Sequence, residues 1–363
     1  MLFPYTYVPH DMEKMQTYVD FIFFEVWSKA KGNTYSIDTL FTENQELYEI
    51  VTELHFSAVK GAEFFLTGLQ QIFEDFKLVS DADIAKLSHW YESNNNIGLL
   101  CANDASATPA TYSDIESISE DLSRHLGQFF KNLYAQDFLS LKSITNRIGV
   151  IDDHYKTFVT INSSGKCPFC GISDIKGIDH STREAYDHFL PKGIYPFNSI
   201  NFRNLAPACN NCNSSYKLTK NPLYQFKNPL KKQSGVRRKS FYPYQANDYS
   251  LNIEIAICCQ DWTSIKPGDI VIKVGPDEFT EEINTWLDVY GIEERYKAMC
   301  CTENAGKYWI EQVLDECQND GSNPEMIFIT LVRQAKLKPF AEVNFLKLPF
   351  LEACNQAGLF NAI

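Results

Sequence analysis

No run of eighteen apolar residues occurs in the 363-residue chain, and its densest early stretch, Phe21 to Trp27, is broken by Glu25. No membrane-spanning helix is therefore expected. The opening residues MLFPYTYVPHDMEK lack a basic segment followed by an apolar one. A signal peptide is not expected either, and the chain reads as cytoplasmic. Histidine is scarce: there are seven, and none follows His188. His10, His55, His89, His125 and His154 have no Cys, Asp or Glu partner at ligand spacing and read as ordinary surface or core residues. Positive charge is also in deficit. A net charge of −13 argues against a chain that grips nucleic acid over its whole surface.

The charge is unevenly spread. Residues 1–150 hold 21 acids and 10 bases, residues 151–250 hold 7 and 14, and residues 251–363 hold 18 and 9. Only the middle is basic, which is the footprint expected if that region alone meets phosphate. The 44% apolar and 14% aromatic content is that of a globular chain, long enough for two or three cores. Eleven cysteines in a reducing compartment read as thiols and metal ligands rather than disulfides.

Apolar residues at helical spacing predict helices over 12–28, 42–55 and 56–78. Asn94-Asn95-Asn96 and the stretch 102–112 read as loops. Ser113 followed by Glu116 is a capping-box signature opening one long helix through Leu133. Residues 1–155 are thus expected to form a helical domain for recognition or partner docking. Residues 156–245 form a central module and 246–363 a third region. That third region begins with a hairpin, Asn252–Ile257 and Asp269–Val274, turned at Pro267-Gly268. Helices follow, from a cap at Thr280 to a stop at Gly291 and then over 304–318, 324–337 and 340–356.

The chemistry concentrates in the middle. Cys167-x-x-Cys170 and Cys209-x-x-Cys212 have the spacing that lets four thiolates share one tetrahedral Zn²⁺. A redox reading needs one such pair in a thioredoxin-like setting, not two. The adjacent pairs Cys258-Cys259 and Cys300-Cys301 read as packing, and Cys101, Cys317 and Cys354 as buried small apolar residues. Between the zinc cysteines stands Tyr186-Asp187-His188-Phe189-Leu190-Pro191-Lys192. Neighbouring residues at a strand end point to opposite sides of the pleat, so Asp187 and His188 can serve a metal and a water separately. Asn213 is placed to start a helix and give a second oxygen ligand. The arrangement reads as two strands and a helix with zinc at its ends.

This set of elements resembles the HNH endonucleases of the ββα-metal (His-Me finger) superfamily in their zinc-stapled form. The elements are Cys167/Cys170, Asp187-His188 with Pro191, Asn204-Leu205, and Cys209-x-x-Cys212-Asn213 with Lys217. The resemblance covers about fifty residues. It implies His188 as general base, Asp187 and Asn213 as ligands of a catalytic Mg²⁺ or Mn²⁺, and Asn204 as the brace of the loop that orients His188. Asn213 stands where the name expects histidine, and an amide oxygen is a suitable hard ligand. Asp179-His180, a second acid–histidine pair, lacks the following proline and reads as a loop. Asn210 and Asn211 lie inside the zinc knuckle.

The expected fold is α+β and predominantly helical, with a central ββα-metal module and structural zinc between helical regions and a short hairpin. The expected activity is metal-dependent hydrolysis of phosphodiester bonds, with DNA as the partner. Lys192, Arg203, Lys217, Arg237 and Arg238 are candidate phosphate contacts, the last two within the basic segment 227–239. Large unrelated flanks resemble those of HNH proteins in bacterial anti-phage or restriction systems, which implies an ATPase or sensor subunit as a further partner. The alternatives are the same chemistry on RNA, transfer RNA included, and a non-catalytic zinc module that binds nucleic acid or protein.

Overall fold

Where apolar residues recur every three or four positions, the chain is helical. The computed structural model describes residues 1–57, 59–226, 235–246, 249–259, 261–320 and 324–360. The main helices of the first part are α1 (Lys14–Phe21), α2 (Gln45–His55), α3 (Lys60–Leu78), α4 (Asp81–Asn95), α5 (Glu120–Leu133) and α6 (Ile151–Ile161). α1 continues as a wider π-type turn through Ile22–Trp27 that buries Ile22, Phe23, Val26 and Trp27. Phe65, Leu69, Ile72, Phe73 and Phe76 of α3 are buried against Leu122, Leu126, Phe129 and Leu133 of α5. The rings of Phe65 and Phe129 stack at 5.5 Å.

Two expectations for this part are corrected. The long helix from Ser113 is two helices, Tyr112–Glu116 and then α5. The segment Thr-Tyr-Ser-Asp-Ile-Glu-Ser-Ile-Ser-Glu holds several overlapping cap signals, and others prevail. Thr111 N donates to Asp114 Oδ2 at 2.7 Å, and Ser119 Oγ accepts from Leu122 N at 3.2 Å, satisfying an otherwise orphaned donor of α5. The asparagine triplet is not a loop throughout. α4 runs to Asn95, Asn94 is fully buried inside it, and only Asn96 leaves the helix to cap Ile97–Cys101.

The middle of the chain builds β1 (Ala185–His188) and β2 (Leu205–Ala208). They are antiparallel, with Asp187 opposite Ala206 and His188 opposite Leu205. α7 (Asn211–Lys217) follows at once and is π-type, with Leu218 N bonded to Asn213 O at 3.2 Å. β3 (Tyr224–Phe226) and β4 (Gly235–Arg237) form a hairpin. Residues 227–234 of the basic segment lie outside the described residues. β5 (Asn252–Ile257) pairs with β6 (Ile270–Gly275), as the alternation suggests.

The chain ends in α8 (Thr280–Tyr290), α9 (Ile292–Cys300), α10 (Tyr308–Asp320), α11 (Pro324–Leu337) and α12 (Asn344–Gln356). Gly291 stops α8 at φ +59°, while Thr280 is its first residue rather than its cap. At 57% helix with three two-stranded sheets among the described residues, the fold is α+β and predominantly helical. Its buried side chains form a continuous cluster from Trp27 through Phe197 and Cys212 to Trp286. Among the described residues no helix is long and apolar enough to cross a membrane.

Candidate active site and metal centre

Cys167, Cys170, Cys209 and Cys212 are all buried, with their sulfurs within 4.8 Å of one another. The Cys170 and Cys209 sulfurs are 3.9 Å apart. A tetrahedral Zn²⁺ with ordinary Zn–S bonds puts its sulfurs about 3.8 Å apart, so the donor set fits zinc. Among the described residues this is the one group of His, Cys, Asp and Glu disposed to hold a metal, and the other cysteines do not form a second. Cys101, Cys300 and Cys354 are buried, Cys258 is exposed, and the Cys317 side chain lies outside the described residues.

Local geometry explains the motif. In the first knuckle Cys170 N and Gly171 N both turn back to Cys167 O, and Gly171 has φ +68°. A Cβ on Gly171 would also sit 2.5 Å from Leu2 Cδ2, so glycine is required twice over. The C-terminal helices hold the knuckles from outside. Trp286 Nε1 donates to Phe169 O at 2.7 Å and Tyr296 OH to Cys170 O at 2.8 Å. Arg295, buried in α9, donates to Cys212 Sγ at 3.2 Å. Four thiolates holding Zn²⁺ would carry two net negative charges between them, part of which the Arg295 guanidinium would offset. Nothing in its spacing marks Arg295 in the sequence.

Asp187 is buried on β1. Its Oδ1 accepts from Lys217 Nζ at 2.9 Å, while its Oδ2 is buried with no hydrogen-bond partner among the described residues. Burial raises the Asp187 carboxyl above its usual range, and the Lys217 charge opposes that rise. A buried carboxylate oxygen left unsatisfied is a donor that a divalent cation would take up. Asn213 is half-buried in the first turn of α7, about one turn before Lys217 and therefore on a similar face. The carboxylate oxygen of Asp187 and the amide oxygen of Asn213 are the hard donor type that Mg²⁺ or Mn²⁺ takes.

His188 closes β1. Its Nε2 is 2.9 Å from Ser199 O, and a carbonyl can only accept, so Nε2 carries the proton and Nδ1 keeps a free lone pair. Burial, with Lys192 and Lys217 nearby, lowers its pKa to about 3, so the ring is neutral at pH 7. The loop between the strands is held from inside by Asn204, whose Oδ1 accepts from Leu190 N at 2.7 Å. Asn204 Nδ2 donates to Leu190 O and to Asn198. Asn198 donates in turn to Asn94 O at 3.0 Å, and Asn94 Nδ2 donates to Pro196 O and Ala110 O. Phe197, at φ +79°, drives its ring between Phe23, Tyr91 and Phe130. That backbone state is strained for a bulky residue and is held by the packing around it.

The candidate phosphate contacts divide. Lys217 is corrected: its side chain is 1% exposed and bonded to Asp187 and to His188 O, out of reach of a substrate's outer phosphates. Arg238 is also internal, paired with Asp288 and donating to Asn221 O. Arg237 donates to Leu100 O and Leu223 O. Arg203 remains exposed with its guanidinium over Tyr7, and Lys192 lies over Tyr134 with its Nζ 3.4 Å from Lys131 O. Asp179-His180 is exposed, the His180 ring folded onto Gly177. Asn210 and Asn211 are exposed within the second knuckle.

Lys217→Met is expected to cost about 3–5 kcal/mol in urea denaturation, because it leaves the Asp187 carboxylate buried without its counter-charge. His154 gives a pH dependence. It is 2% exposed, accepts from Tyr186 OH at Nδ1 and donates from Nε2 to Val8 O. Burial lowers its pKa to about 4. The unfolded ring takes its proton near pH 6.5, the folded one only near 4. This stability is therefore present above pH 6.5 and is lost as pH falls toward 4, at up to about 1.4 kcal/mol per pH unit. Denaturation at pH 7.5, 6 and 5 checks this, with a shallower decline expected in His154→Gln.

No family model matches the chain, and no solved structure matches it. Two curated proteins are similar over short stretches. Protein ea31 of Escherichia phage lambda is 41% identical over 64 residues, 17% of this chain and 19% of that protein. Septu protein PtuB of Bacillus thuringiensis is 39% identical over 51 residues, 14% of this chain and 19% of that protein. The similarity is local. The chain spans about a fifth of the length of either relative.

Proposed function

We propose that the chain is a metal-dependent HNH endonuclease that hydrolyses phosphodiester bonds of nucleic acid, with DNA as its target, in bacterial anti-phage defence. One observation carries the reading: the antiparallel pair β1–β2 leads into α7, with Asp187 and His188 at the end of β1, Lys217 of α7 bonded to both, Asn213 on that same helix, and the four cysteines bracketing the segment in the chain. Packing alone does not call for a carboxylate oxygen without a partner among the described residues, an imidazole with its proton fixed on Nε2 and a buried cysteine quartet within one short segment of chain.

In this reading Nδ1 of His188 takes the proton from the attacking water, while Ser199 O and the Asn204-braced loop fix the ring. Lys217 holds Asp187 Oδ1, which leaves Oδ2, together with Asn213, to hold the cation. A bound Mg²⁺ or Mn²⁺ supplies positive charge for the phosphate and the departing 3′ oxygen. The products are a 5′-phosphate and a 3′-hydroxyl. The local similarity to a Septu protein supports the defence setting, and the acidic flanks are then the surface for an ATPase or sensor subunit.

Supercoiled plasmid, linear duplex and transfer RNA incubated with the chain and Mn²⁺ or Mg²⁺, alone and with the product of a neighbouring gene, test the reading. Nicking of the plasmid is expected. Cleavage of RNA alone would move the target, and no cleavage in any combination would remove the activity. Asp187→Ala is expected to lose a weak Mn²⁺ site seen by calorimetry while keeping its zinc.

A further inference from the structure

The end of α5, which belongs to the helical flank and not to the HNH resemblance, touches the loop and the ring of His188 at three points. Phe130 O accepts from Ser199 Oγ at 2.6 Å, and Ser199 O is the acceptor of the His188 Nε2 proton. Lys131 O lies 3.4 Å from Lys192 Nζ. Tyr134, the residue capping the helix, sets its ring 4.6 Å from the His188 ring at an interplanar angle of 84°. Lys192 Nζ stands 5.3 Å from the centre of the same tyrosine ring.

An imidazole has two soft torsions. The Nε2–H bond to Ser199 O fixes one point of the ring but leaves it free to swing about that point. Swinging moves Nδ1, the atom the proposed reaction needs, away from the attacking water. An edge-to-face aromatic contact resists that motion because it has a preferred plane. We infer that Tyr134 is a positioning residue for His188, its ring holding the imidazole so that Nε2 stays on Ser199 O and Nδ1 stays free. The flank thus supplies part of the active site, through the ring and not the hydroxyl. The inference rests on His188 being the base of the proposed reaction.

Three variants at this position test it: Tyr134→Phe, Tyr134→Leu and Tyr134→Met, each first compared with wild type by thermal melting. Cleavage kinetics are expected to show kcat lowered about 10- to 100-fold in the Leu and Met variants with KM little changed, and near wild-type values in Phe. A second readout does not depend on cleavage. With ¹⁵N-labelled histidine, and the His188 signals assigned by their loss in His188→Gln, wild type and Tyr134→Phe are expected to show a single Nε2–H tautomer. The Leu and Met variants are expected to show exchange between tautomers.

An unchanged tautomer and unchanged kcat in Leu and Met would overturn the inference. So would equal impairment in Phe, which would give the role to the hydroxyl. If wild type cleaves nothing, the proposed function falls, and the tautomer spectra still decide whether Tyr134 holds the ring. If one of the two aliphatic variants fails to fold, the other carries the comparison.

Discussion

Cys209→Ala combined with Cys212→Ala is expected to yield a chain that keeps no zinc and cannot hold β1, β2 and α7 in place. A structural Zn²⁺ in a four-cysteine site contributes on the order of 10 kcal/mol or more of apparent folding free energy at neutral pH. Whole domains are stable by about 5–15 kcal/mol, so the loss is comparable to everything that holds the region together. The damage should spread beyond the knuckles. Phe169 O and Cys170 O accept from Trp286 and Tyr296, and Arg295 is paired with Cys212 Sγ. Without thiolates Arg295 becomes a buried cation with little to face, and α8 and α9 lose their seat. Elemental analysis should find about one zinc per wild-type chain and none in the double variant. Near-ultraviolet circular dichroism should show tryptophan and tyrosine signals lost with it. A wild-type chain purified without zinc yet fully folded would refute the expectation.

His188→Ala is the second large effect. A positioned general base contributes about 10²- to 10⁴-fold, and the variant is expected to lose cleavage by at least that factor. Substrate binding and the Mn²⁺ affinity should persist, because Asp187 and Asn213 are untouched. In barrier terms this is about 3–5 kcal/mol, carried by one nitrogen atom. His188→Gln keeps a group able to bond Ser199 O but has no base at Nδ1, and it should be as inactive as the alanine variant. A glutamine variant that cleaves would assign the proton transfer elsewhere. Comparable loss in both, with unchanged melting, would separate chemistry from folding.

The four-cysteine cluster and the strand–strand–helix order were legible in the sequence because they rest on spacing, whereas the brace role of Asn204 was implied only by the family resemblance. Two residues between paired cysteines is a local statement that tertiary context does not alter. What was not legible depends on where a side chain goes after leaving the backbone. Lys217 reads as a candidate phosphate contact, yet its long apolar stem carries the ammonium inward to Asp187. Asn94 reads as a loop former because its amide competes with helical hydrogen bonds. In the fold that amide instead bonds Pro196 and Ala110, and the helix continues. Tyr134 and Ser199 carry no motif at all. The overlapping caps near Thr111 show a third limit, since several start signals within ten residues cannot be ranked without knowing which faces are buried.

Phe197 has a consequence for heredity as well as for shape. A segment bracketed by two cysteine pairs looks like a cassette that could be moved between proteins. Here the loop joining its strands has an aromatic side chain planted among Phe23, Tyr91 and Phe130 and an asparagine tied to α4. Transplanted alone, the segment would carry a wedge with no slot to receive it. The flank and the segment are therefore bound to change together. A substitution at Phe23 or Tyr91, far along the chain from any cysteine, reshapes the loop of His188 and must be answered within it.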